Sequence, residues 1–249
     1  MKNKQGEKQD EQVKRSLTGV ELEATETNRA NPVGDPAGST KIKSLFCYGN
    51  EETKKMIWSL KTNPRFYNSE DGEKLIKFIG QEIQINENTI VICAPSSSFW
   101  QNKKNFDHMN VFMKKCIRNL RSNSSSYLVE HVGYIPYAIV PRLSKGLQKG
   151  LNKIERKKQT LGAYGLSNYF KYLLKYWVFN NKKIMTIKDG SYAIFNILII
   201  DDVKTTGSTL LECAHIVDDY LNSLFSGQKN NLVERNNIHI KCLTVAYEA

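Results

Sequence analysis

Two adjacent carboxylates, Asp201 and Asp202, stand just before a small hydroxyl-rich run, Lys204-Thr205-Thr206-Gly207-Ser208-Thr209. Carboxylates accept hydrogen bonds from hydroxyl groups and balance developing positive charge. The Thr and Ser hydroxyls can donate to an anion, and Lys204 adds a cation. Gly207 lets the backbone turn tightly and approach a ligand closely. Two carboxylates beside a phosphate cradle would repel that phosphate unless they faced something else, such as ribose hydroxyls or a magnesium-bound diol. The ligand chemistry implied is a ribose 5-phosphate unit that carries a polyanionic group.

Specific elements must hold these residues in place. Asn196-Ile197-Leu198-Ile199-Ile200 reads as a buried strand that ends at the carboxylates. Leu210, Ala214, Val217, Leu221 and Leu224 share one face of the helix that follows. Its first free N–H groups would attract phosphate. In parallel α/β sheets, ligands bind beyond the carboxyl ends of the strands. A second strand, Thr89–Pro95, runs into Ser96-Ser97-Ser98, which makes Ala94, Pro95, Ser96 and Ser97 a second candidate anion loop.

The 249-residue chain has 40% hydrophobic and 10% aromatic residues, which suits one folded domain and a tail. Residues 1–40 are polar and end in a run of breakers, Asn31-Pro32-Val33-Gly34-Asp35-Pro36, so they read as a disordered or loosely attached tail. Residues 41–249 form the expected domain. No apolar run reaches membrane-span length, and the N-terminus does not read as a secretory signal, so a cytoplasmic protein is expected. The five cysteines form no Cys-x-x-Cys pair and are expected to be buried free thiols. The four histidines are scattered; His215 reads as a surface or structural residue and His108 as a slightly better functional candidate.

The formal charge is +11. The first 40 residues hold six basic and seven acidic side chains, so the excess positive charge belongs to the domain. Arg142–Lys158 is its most basic segment, with Glu155 as its one acid. Three readings stay open for it: a loop that closes over a polyanionic substrate, a solvated helix face, or a nucleic-acid contact. Arg156, Lys157 and Lys158 are the residues expected to touch an anion. Further strands are expected at Ser44–Tyr48, Tyr127–Glu130, Ala138–Val140 and Ile238–Tyr247. Helices are expected after Gly49-Asn50, from near Glu70, over Asn105–Arg121 and around Phe170–Trp177.

The stretch from Ile197 to Leu210 resembles the phosphoribosyl-pyrophosphate motif of type I phosphoribosyltransferases: a hydrophobic strand, two acidic residues and a Thr-Thr-Gly-x-Thr loop. Weaker similarities point to ComF-like members. Tyr48-Gly49 and the helix ending Leu60-Lys61 resemble their opening element, Ala94-Pro95-Ser96 their Pro-Val-Pro loop, and Lys104-Asn105-Phe106-Asp107 their Arg-Gly-Phe-Asn. Gln159 stands where they carry a glutamine after basic residues. The cysteine-rich zinc segment of many ComF-like proteins is absent, and Asn105 replaces a glycine.

The resemblance implies a Rossmann-like, mostly parallel α/β sheet flanked by helices, with a small N-terminal hood built before residue 88. It implies an enzyme of nucleotide metabolism that binds magnesium phosphoribosyl pyrophosphate and transfers the phosphoribosyl group to an unknown nitrogen nucleophile. Asp201 and Asp202 would hold the ribose hydroxyls and stabilise its charge, with Asp202 a speculative general base. Lys204, Thr205, Thr206, Gly207, Ser208 and Thr209 would hold the 5-phosphate. Ala94, Pro95, Ser96, Ser97, Arg156, Lys157 and Lys158 would bind pyrophosphate. Magnesium would be held mainly through the substrate, without a protein ligand set. The oligomeric state stays open, a homodimer included. The alternatives are a non-catalytic or regulatory protein of this fold that handles DNA or RNA, and a defence-associated effector.

Overall fold

The computed structural model describes residues 42–82, 88–96, 106–123, 132–142, 162–180, 195–204, 206–226 and 238–247. The expected tail, the Tyr127–Glu130 strand, Ser97, Thr205, Gln159 and the Arg156–Lys158 run lie outside these residues.

Five strands form one sheet: β1 (Ile42–Cys47), β2 (Asn88–Cys93), β3 (Val132–Tyr134), β6 (Phe195–Lys204) and β7 (Ile238–Tyr247), in the order β1-β7-β6-β2-β3. Every pairing in it is parallel. A separate antiparallel pair joins β4 (Ile139–Pro141) to β5 (Tyr164–Leu166). The helices are α1 (Glu51–Thr62), α2 (Glu70–Glu82), α3 (His108–Asn123), α4 (Asn168–Asn180) and α5 (Ser208–Phe225). The chain is therefore an α/β protein of the doubly wound kind, with a parallel sheet between two helical layers.

Strand alternation explains both layers. Successive side chains of β6 point to opposite faces. Phe195, Ile197 and Ile199 pack with Leu210, Ala214, Val217 and Leu221 of α5, with Phe170 and Leu174 of α4, and with the β4–β5 pair. Leu198 and Ile200 pack with Ile57 and Leu60 of α1, Leu75 and Ile79 of α2, and Met109, Phe112, Met113 and Cys116 of α3. Because β6 is apolar on both sides, it reads as a continuous hydrophobic run and not as an alternating one.

Capping fixes the helix starts. The side chain of Asn50 accepts a hydrogen bond from the Glu52 N–H at 2.8 Å and starts α1. Ser69 Oγ accepts from the Gly72 N–H at 3.2 Å and starts α2. Asp107 Oδ1 accepts from the Asn110 N–H at 3.2 Å at the head of α3.

Two expectations change. The segment before residue 88 is not a hood: β1 pairs with β7 at the sheet edge, and α1 and α2 belong to one helical layer. The apolar residues Leu45, Ile57, Leu60, Leu75 and Ile79 need a sheet face to bury against, and they find it there. The small accessory element is instead the β4–β5 pair. Among the thiols, Cys47 is exposed at the end of β1, whereas Cys93, Cys116, Cys213 and Cys242 are buried and all five are free.

Glycine placement gives a stability test. A Cβ at Gly72 would lie 2.1 Å from the backbone oxygen of Phe66, where nothing can move cheaply, whereas a Cβ at Gly133 would meet its nearest heavy atom at 4.0 Å. Gly72→Ala is expected to cost about 1–3 kcal/mol in urea unfolding, and Gly133→Ala is expected to leave the midpoint nearly unchanged. Equal costs would contradict the packing of α2 against the Phe66–Asn68 turn.

Candidate functional site

The strand order places the site. From β2 the chain crosses to β3 on one side, and from β6 it crosses to β7 on the other. The switch point, where parallel α/β sheets bind ligands, falls between the carboxyl ends of β2 and β6. The described residues that lead into both candidate loops, at the ends of β2 and β6, meet there. The Ala94 N–H donates to the Ile200 carbonyl at 2.9 Å, which ties the end of β2 to the residue before Asp201. Cys93 pairs with Ile200 at the end of that ladder, and Pro95 offers no N–H for a further bond. β6 runs on alone beside β7, with Asp201 opposite Thr244 and Lys204 opposite Tyr247. Ala94, Pro95 and Ser96 thus lie next to the paired aspartates.

The two aspartates part company. Asp201 continues the Ile197–Ile199 face towards β5 and α5, and its charge helps push up the Tyr164 phenol and the Cys242 thiol, both raised chiefly by burial. Its Oδ1 accepts the Asp202 N–H at 2.9 Å. Asp202 continues the Leu198–Ile200 face and reaches the other layer. His108 Nε2, in the first turn of α3, lies 2.6 Å from its Oδ2, and Lys61 Nζ, in the last turn of α1, lies 3.2 Å from its Oδ1. Burial pushes the Asp202 carboxyl up, but the His108 bond and the Lys61 charge outweigh it and hold the group down to about 2. Both carboxylate oxygens of Asp202 are thus engaged, Oδ1 by Lys61 and Oδ2 by His108.

Between β6 and α5 the chain is described from Thr206 onward. Gly207 is the residue before α5 and has φ 74° and ψ 0°, a left-handed conformation that suits glycine. Having no side chain, it places no capping group over the first turn of the helix. Thr206 Oγ1 lies 2.9 Å from Ser208 Oγ and accepts the Ser208 N–H at 3.3 Å. The Thr209 hydroxyl shares a hydrogen bond with the Tyr164 phenol. Lys204 ends β6. Thr206 to Thr209 are therefore gathered at one helix N-terminus, beside Asp201.

Buried polar groups brace this end of the sheet. Asp107 Oδ2 accepts from Asn110 Nδ2 at 2.8 Å, and Asn110 Oδ1 accepts from the Tyr134 hydroxyl and, at 3.4 Å, from the Tyr137 N–H. Tyr137 takes φ 52°, a strained value for a non-glycine residue. On the opposite face, Glu212 of α5 is buried and its Oε1 accepts the Gly162 N–H at 2.7 Å, fixing the turn into β5. Among the described residues no three His, Cys, Asp or Glu side chains converge as a metal site. Magnesium that keeps substrate oxygens and water as its ligands needs no such set.

The pairing of Lys61 and His108 with Asp202 escaped sequence reasoning, although His108 was a functional candidate. Lys61 and His108 are remote from Asp202 in sequence and belong to no shared motif. The sequence signal for His108 was the basic pair Lys103-Lys104 shortly before it. His215 is exposed and pairs with Asp219 at 3.4 Å, a surface arrangement. No protein-family model matches the chain, and no curated protein matches it.

The Asp202 cluster is testable without a ligand. Its lowered carboxyl gives stability that is present above the ordinary aspartate range and lost as pH falls through the folded value. Asp202→Asn is expected to lose about 1–3 kcal/mol at neutral pH, because it leaves Lys61 and His108 without their anion. In urea unfolding at a series of pH values, that gap is expected to close between about pH 4 and about pH 2. A gap independent of pH would contradict the ion pairing.

Proposed function

We propose that the chain is a phosphoribosyltransferase that binds magnesium phosphoribosyl pyrophosphate at the β2–β6 switch point. One observation carries the reading: a carboxylate pair, a left-handed glycine turn and a helix N-terminus follow one another on β6 and α5, and the end of β2 is bonded alongside. Each part has a matching part in that ligand. The N–H groups at the start of α5, with the hydroxyls of Thr206, Ser208 and Thr209, suit the 5-phosphate. Asp201 suits the ribose hydroxyls. Ala94-Pro95-Ser96, at the end of β2, suits the pyrophosphate.

In the proposed reaction the bond between C1 of the ribose and pyrophosphate breaks, and a nitrogen nucleophile bonds to the same carbon. Positive charge develops on the ribose as the leaving group departs. The Asp201 carboxylate stabilises that charge in a site where charges are poorly screened. Magnesium, held through the substrate's oxygens, would neutralise charge on the pyrophosphate. Asp202 keeps its bonds to His108 and Lys61 and anchors the end of β6, so that Asp201 keeps its aim.

Calorimetric titration with phosphoribosyl pyrophosphate and magnesium tests the reading. The wild type is expected to bind. Asp201→Asn is expected to weaken binding by about tenfold to about a hundredfold, the loss of charge-assisted bonds of roughly 1.5–3 kcal/mol. A screen of nitrogen bases for pyrophosphate release then identifies the acceptor. Absence of binding by folded wild-type protein would overturn the proposal.

A further inference from the structure

Among the described residues Tyr137 is the one non-glycine side chain on a left-handed backbone, with φ 52°. That conformation costs a bulky residue free energy and persists only where the surroundings impose it. Here they do. The Tyr137 N–H donates to Asn110 Oδ1 at 3.4 Å, and the same oxygen accepts the Tyr134 hydroxyl. Asn110 is buried, and its Nδ2 donates to Asp107 at 2.8 Å. A turn that needed only a positive φ would be served best by glycine. This one carries a tyrosine instead, and its side chain is 42% exposed. A buried network thus holds a strained turn whose product is a phenol facing solvent. Strain of this kind gathers at ligand sites.

The turn stands beside the candidate anion loop. The Ile135 N–H donates to the Val91 carbonyl at 3.1 Å, so β3 stays bonded to β2 almost up to Tyr137. The Tyr134 hydroxyl lies 3.9 Å from the sulfur of Cys93, the residue before Ala94-Pro95-Ser96. Asn110, which holds the Tyr137 backbone, belongs to the first turn of α3. Tyr137 therefore lies beyond the carboxyl end of β3, near the end of β2 and the head of α3. Burial, and after it the Asp107 charge, pushes its phenol up. Near neutrality the phenol keeps its proton and can donate.

We propose that Tyr137 is a further ligand-binding residue, whose hydroxyl donates to a phosphoryl oxygen of the pyrophosphate group at the end of β2. This rests on the reading of the site as one for phosphoribosyl pyrophosphate. The Asp107–Asn110–Tyr134 network then has a task beyond bracing: it fixes the direction of one donor before the ligand arrives, so little ordering is left to do on binding. The hydroxyl serves the pyrophosphate end alone. Ribose 5-phosphate, which lacks that group, gains nothing from it.

The test is calorimetry with magnesium phosphoribosyl pyrophosphate, and with ribose 5-phosphate in competition against it, on the wild type and Tyr137→Phe. Phenylalanine keeps the ring and removes only the hydroxyl. Affinity for phosphoribosyl pyrophosphate is expected to fall about tenfold, as for the loss of a hydrogen bond to a charged group. Affinity for ribose 5-phosphate is expected to stay as it was. Urea unfolding of Tyr137→Gly and Tyr137→Ala tests the turn itself. Both lose the ring, and the glycine variant is expected to have the higher midpoint, the reverse of the usual order of these residues.

Unchanged affinity of Tyr137→Phe for phosphoribosyl pyrophosphate, or an equal loss for both ligands, overturns this inference and leaves the ligand assignment standing. An alanine variant as stable as the glycine variant removes its structural premise. No binding of phosphoribosyl pyrophosphate by the wild type overturns both readings.

Discussion

The period-two geometry of a strand is the constraint on which this site depends. β6 is buried on both faces, so its side chains must alternate strictly between two cores. When the apolar run gives way to Asp201 and Asp202, the alternation continues. One carboxylate is delivered to the α5 side and the other to the α1–α3 side. Two identical neighbours in sequence thereby acquire different surroundings, and with them different chemistry. A slip of one residue in β6 would exchange the two carboxylates and both apolar sets at once. The register is held by long ladders to β7 and β2.

Asp202 shows how such an end can be stabilised. A carboxylate this far out of water costs free energy unless it is paired and hydrogen-bonded. Lys61 and His108 come from two helices of the same layer and meet at it, so the ion pairing also links α1 and α3 across the end of the sheet. Asn110 and Tyr134 continue that bracing to β3. On the opposite face Glu212 ties α5 to the turn before β5. The loop between β6 and α5 is thus carried on a frame fixed from both sides, as preorganised electrostatics demands.

Much of the frame was legible in the sequence because local periods encode it. The apolar spacing of Met109, Phe112, Met113 and Cys116, and of Leu210, Ala214, Val217 and Leu221, gave helices whose named faces are buried. The β-branched runs at Thr89–Cys93 and Ile197–Ile200 gave strands. The turn at Gly207 was legible because few residues but glycine take its backbone angles without strain. The partners of Asp202 were not legible. They depend on which elements the topology brings together, and no local period carries that. β1 was recognised as a strand, yet its place at the sheet edge beside β7 follows from long-range pairing alone. Tyr164–Leu166 is too short, and too buried on both sides, to show a period of its own.

The most direct measurement is a crystal structure of the protein with magnesium phosphoribosyl pyrophosphate bound. The expected result is the 5-phosphate on the first turn of α5 between Thr206 and Thr209, the ribose hydroxyls on Asp201, and Asp202 still bonded to His108 and Lys61. Ligand density away from the β2–β6 switch point, or an Asp202 released from both partners to take the ribose, would contradict the division of labour between the two aspartates.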